Sequence, residues 1–84
     1  MKKCLITFRS VTPAQRGELF LRRAGIDCRL KRTNRWLEEQ GCGYSLHLDC
    51  MDLPRALELL RGNGIAYKKV YRIQENGQIG EMNP

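Results

Sequence analysis

Only one histidine, His47, stands among the 84 residues of this chain, and its four cysteines include no Cys-x-x-Cys pair. A structural zinc site draws on clustered cysteine and histidine ligands, so no metal is expected. Long apolar runs are missing as well. Leu5-Ile6-Thr7-Phe8, behind Lys2-Lys3-Cys4, is cut short by Arg9. That run is too brief for a signal-peptide core or a bilayer span. The chain therefore reads as cytoplasmic, where thiols stay reduced. Acidic residues are in deficit, 9 against 15 Lys and Arg, which leaves a formal charge of +6. Such an excess serves solubility first and an acidic partner or anionic ligand second. What is present, 42% hydrophobic and 29% charged residues, describes one globular domain with a single modest core rather than a disordered segment.

The pattern along the chain alternates strands and helices. Cys4, Ile6 and Phe8 alternate with Leu5, Thr7 and Arg9 as a half-buried strand. Ser10-Val11-Thr12-Pro13 supplies a helix start, a hydroxyl N-cap followed by proline at the first helical position. Ala14, Gly17, Leu21 and Ala24 then form one stripe of a helix near residues 13–24, ended by Gly25. Ile26, Cys28 and Leu30 give a second strand, and Thr33 to Gln40 is a polar connection with room for a helical turn around Trp36 and Leu37. A third strand from about Gly43 to Cys50 puts Tyr44, Leu46, Leu48 and Cys50 on one face, with Ser45, His47 and Asp49 on the other. Asp52 caps a helix over residues 53–62, and Ile65 to Ile73 reads as a fourth strand.

The halves echo each other: Gly25-Ile26-x-Cys28-Arg29 returns as Gly64-Ile65-x-Tyr67-Lys68. Two tandem βαβ units predict an α+β, ferredoxin-like βαββαβ sandwich. Its antiparallel sheet runs in order 4-1-3-2, with both helices on one face and the other face open. The domain spans residues 1–73. Residues 74–84 form a polar tail that either frays or folds back as a short hairpin at Asn76-Gly77.

Cys42 differs from the other cysteines. It lies in Gly41-Cys42-Gly43, a turn that leaves its sulfur uncovered, whereas Cys4, Cys28 and Cys50 sit in apolar alternations as core fillers. In the expected topology the loop carrying Cys42 meets the start of the first helix. Ser10, Thr12 and the unpaired helix amides then face the thiol, and Arg9, Arg32 and Arg35 add positive charge. Those surroundings lower a thiol pKa below the usual ~8.5. A turn cysteine without chemistry is the plain alternative. His47, on the open face, is a poorer candidate for a base and reads as a surface or interface residue.

Three segments resemble the selenium/sulfur carrier protein-like family of small bacterial domains. Phe8-x-Ser10 followed by Ala14 is similar to its strand-to-helix signature, Ala24-Gly25-Ile26 to its helix exit, and Cys42-Gly43-Tyr44-Ser45-Leu46 to its Cys-Gly motif. The likeness covers about residues 4–73. The chain departs from the family at Val11, where threonine is usual, and in the stretch before the cysteine, where Arg35 stands in for the family arginine. The resemblance implies that Cys42 carries a persulfide or selenide between a donor and an acceptor protein, a carrier more than an enzyme, with no cofactor.

Two other classes compete. The βαββαβ layout is also that of RNA-binding RRM modules, and Gln40 to His47 echoes the spacing of their RNP1 motif. Only Tyr44 keeps an aromatic there, so stacking platforms are missing and nucleic acid is disfavoured. An assembly module would pair two copies through the open face, with Leu5, Ala66 and Val70 supporting a homo-oligomer and Lys68 and Arg72 opposing a dry contact.

Overall fold

The computed structural model describes residues 2–33 and 43–82. Its elements are β1 (Lys3–Phe8), α1 (Val11–Arg23), β2 (Cys28–Arg32), β3 (Tyr44–Asp49), a 3-10 turn (Cys50–Asp52), α2 (Leu53–Gly62), β4 (Val70–Ile73) and β5 (Ile79–Met82). The sheet is antiparallel and five-stranded, in order β2-β3-β1-β4-β5. It replaces the expected four-stranded sheet of order 4-1-3-2, and the addition is β5 beside β4. The tail, expected either to fray or to fold back as a short hairpin, supplies a strand. Gln78 and Gln74 close the hairpin by a 2.7 Å backbone hydrogen bond, and Gly77 takes a φ of 86° that a side chain would resist.

The apolar stripes of both helices converge on one face of the sheet. Ala14, Leu21, Ala56, Leu57 and Leu60 pack in a single cluster with Cys4, Ile6, Phe8, Leu46, Leu48 and Val70. Gly17 lets the helices and sheet approach. A β-carbon there would lie 3.1 Å from a Leu60 methyl and 3.3 Å from one of Leu46.

Both helices end alike, which explains the sequence echo. Gly25 and Gly64 adopt φ of 84° and 68°. Ile26 N–H then donates to Leu21 O and Ile65 N–H to Leu60 O, each at 2.9 Å. These six-to-one bonds are the Schellman termination, which only a residue tolerant of positive φ allows at low cost. The helix starts are less conventional. α1 begins at Val11, two residues ahead of the expected Pro13, with Ser10 at its N-cap; α2 starts after Asp52 as expected, yet neither side chain makes a capping hydrogen bond. Asp49 acts instead, accepting from Met51 N–H at 2.9 Å ahead of the 3-10 turn.

After these matching exits the halves diverge. β2 begins at Cys28 rather than Ile26, and its outer edge is covered by α1. Leu30 N–H donates to Glu18 Oε2 at 2.7 Å, while Arg22 donates twice to Cys28 O, at 3.1 and 2.9 Å. A covered edge has few free groups to recruit another strand. The fourth strand begins at Val70, not Ile65, because of a bulge. Lys68 N–H donates to Thr7 O at 2.7 Å and Thr7 N–H donates to Lys69 O at 2.8 Å, so two residues oppose one. The extra residue reverses the alternation. Val70 therefore enters the helix-side core and Arg72 lies opposite Cys4 on the same side, whereas both were expected on the open face.

That other face is also less open than expected. Leu5, Thr7, Ser45 and Tyr71 are all at most 3% exposed, and Leu5 and Tyr71 form a second cluster with Ile73 and Ile79. The largest correction concerns Cys4 and Cys50. They are joined in a disulfide across a sequence separation of 46 residues, with Cα atoms 5.0 Å apart, rather than serving as two separate core fillers.

Candidate functional site

At one end of the sheet Arg32, Tyr44 and Phe8 lie side by side across β2, β3 and β1. Just beyond them Thr33 N–H donates to Gly43 O at 3.2 Å, closing the base of the connection between β2 and β3. β3 runs antiparallel to β1, so Gly43 at its start meets the turn Arg9-Ser10 that leads into α1. A β-carbon on Gly43 would stand 3.4 Å from the Arg9 carbonyl oxygen, so the two backbones run close there.

The site residues named from sequence distribute as follows. Arg9, Ser10, Thr12 and Arg32 are exposed around this end, and Gly43 lies beside Arg9. Arg32 sets its guanidinium 5.7 Å from the centre of the Tyr44 ring, a cation–π contact. Arg9 borders a recess of about 370 Å³ with Pro13, Ala66, Tyr67 and Lys68. No acidic residue occupies the first turn of α1, so its amide dipoles are not neutralised locally. Cys42 and Arg35 lie outside the described residues, as does the expected helical turn at Trp36 and Leu37.

Two features of this end were not foreseen from the sequence, the contact of Tyr44 with Arg32 and the buried hydroxyl of Thr33, which has no hydrogen-bond partner among the described residues. The signal for Tyr44 was its place opposite Arg32 in a β-hairpin register. Nothing in a lone threonine marks its hydroxyl as unpaired.

The remaining titratable candidates look inert. Cys28 is buried, and burial followed by the Glu18 charge pushes its thiol pKa up, away from thiolate. His47 is half-buried in mid-strand, with Nε2 3.1 Å from Ser45 Oγ. Burial, then Lys31 and Lys3, lowers its pKa to about 4, so it is neutral at physiological pH. Among the described residues no group of three or more His, Cys, Asp or Glu could hold a metal, and no helix is long and apolar enough to cross a membrane.

The described residues form a small α+β domain, and the sequence Cys42-Gly43 directly precedes β3. Residues 3–72 match the family described as Putative Se/S carrier protein-like. The match covers most of the chain, and the protein belongs to that family. No curated protein and no solved structure matches it.

Proposed function

We propose that the protein is a sulfur or selenium carrier in which Cys42 holds a persulfide or selenide and passes it between partner proteins. Family membership over residues 3–72, a span that includes Cys42-Gly43, carries this reading. The carrier thiolate attacks the sulfur presented by a donor and is regenerated when an acceptor takes it. Arg9, Ser10, Thr12, Arg32, Arg35 and Gly43 form its anion-stabilising surroundings. The exposed Arg9 and Arg32 and the unneutralised start of α1 support that assignment. A reducing, cytoplasmic setting belongs to the same reading, since Cys42 loads only as a free thiol. So does a ferredoxin-like description of the core, supported by the placement of β1 between β3 and β4.

RNA stacking finds no support on the described sheet face, where Tyr71 is 2% exposed. The test of carriage is mass spectrometry after incubation with a cysteine desulfurase and cysteine. One extra sulfur should map to Cys42 and vanish in Cys42→Ser. Loading that survives in Cys42→Ser, or sulfur mapped to Cys28, would overturn the reading.

A further inference from the structure

The opposite end of the sheet carries its own sulfur chemistry. Cys4 is fully buried in β1, while Cys50, its bonded partner, is partly exposed at the head of the 3-10 turn. The Met82 sulfur lies 3.8 Å from Cys4 Sγ, so β5 covers that side of the pair. Of the two cysteines, only Cys50 has surface open to solvent. Lys2 and Arg72 are backbone neighbours of the bonded pair. Lys2 O accepts the Cys50 N–H at 3.0 Å, and Arg72 lies directly across the sheet from Cys4. Lys2, Lys3 and Arg72 also line one open cavity of about 850 Å³, against a single carboxylate there, Glu75. Asp49 and Asp52 lie nearby on the Cys50 side, outside that lining.

We infer that Cys4–Cys50 is a thiol–disulfide exchange site for an anionic low-molecular-weight thiol, attacked at Cys50. The incoming thiolate forms a mixed disulfide with Cys50 and expels Cys4 as thiolate, which the nearby cations stabilise. A second thiolate then attacks the outer sulfur of that adduct. It releases a small-molecule disulfide and leaves Cys50 reduced. Two electrons pass from two thiols to the protein, and each cysteine takes up one proton according to pH. Oxidation by the same small-molecule disulfide runs the steps in reverse.

The experiment treats the oxidised full chain with glutathione, neutral 2-mercaptoethanol or cationic cysteamine. Each rate is normalised to the same thiol's rate with a small-molecule disulfide, and adducts are trapped in acid and located by peptide mapping. The expected adduct is on Cys50 and not on Cys4. Glutathione should outpace cysteamine by about five-fold at low salt, and that advantage should shrink in high salt as the cations are screened. Lys2→Gln with Arg72→Gln should remove the advantage and slow all three thiols together, since the departing Cys4 thiolate loses the same cations. The salt arm needs no variant and stands even if the double variant folds poorly. Adducts on Cys4, rates indifferent to thiol charge, or a bond that resists all three thiols until the protein is unfolded would each overturn the assignment.

Discussion

At the Lys3 end of β1, Cys4 is bonded to Cys50, packed against Met82 and shut away from water. At the Phe8 end the neighbouring backbone instead bends through Arg9-Ser10 beside Gly43, with exposed cations and an uncapped helix start. Where strands and β5 enclose it, cysteine is a covalent staple. At the other end the described neighbours, exposed arginines and an uncapped helix start, are of the kind that favours a thiolate in the proposed carrier site. The contrast predicts that changes at the second end alter sulfur loading at Cys42 and leave stability untouched, whereas changes at the first end alter stability together with the exchange of its own bond.

The largest effect should come from Cys42→Ser, which is expected to abolish sulfur loading while the urea midpoint stays within experimental error of wild type. A loss of stability comparable to that of the bonded end would erase the contrast.

Next comes the staple itself. Closing a loop of 46 residues removes unfolded-state entropy worth about 4 kcal/mol. Urea unfolding with and without a strong reductant should show a loss of that order, and Cys50→Ser should make the protein insensitive to reductant. Sulfur loading at Cys42 should survive in that variant as long as it is folded.

His47 sits between the two ends, paired with Leu5 and Arg29, and tests the sheet common to both. Its pKa in the folded chain, about 4, is below the ordinary 6.5. Protons therefore bind the unfolded chain more readily. The associated stability is complete above pH 6.5 and is lost as pH falls toward 4. After allowing for solvent screening of a half-buried group, the loss should be about 1–2 kcal/mol. Urea titrations at pH 7.5 and 4.5 would measure it, and His47→Gln should flatten that dependence.

How much of this was legible in the sequence depends on the range of the signal. The helix exits were legible because Gly25-Ile26 and Gly64-Ile65 encode a local backbone geometry. The helix-side core of β1 and β3 followed from strict alternation at Cys4, Ile6, Phe8, Leu46 and Leu48. The register of β4 was not legible, since the bulge opposite Thr7 depends on a partner more than sixty residues away. A period-two reading carries Val70 and Arg72 to the wrong face once a residue is inserted. The Cys4–Cys50 bond was within reach of the antiparallel β1–β3 pairing, which already set both residues at one end. Reading the chain as cytoplasmic and reduced argued against joining them. At the candidate site, the convergence of Arg9, Arg32 and Gly43 on one end followed from topology. The contact of Arg32 with Tyr44 did not, because side-chain rotamers leave no trace in spacing.

The smallest effect should be that of Ser10→Ala. A serine at a helix N-cap usually contributes about 1 kcal/mol through its hydrogen bond to the backbone. Here the Ser10 side chain makes no such bond, so the change should cost less than about 0.5 kcal/mol in urea unfolding. If Ser10 instead serves the thiolate of Cys42, the same variant should raise the thiol pKa measured by the pH dependence of alkylation. Near-neutral stability with a raised pKa would sharpen the contrast between the two ends. A full capping penalty with unchanged reactivity would return Ser10 to an ordinary structural role and remove it from the carrier site.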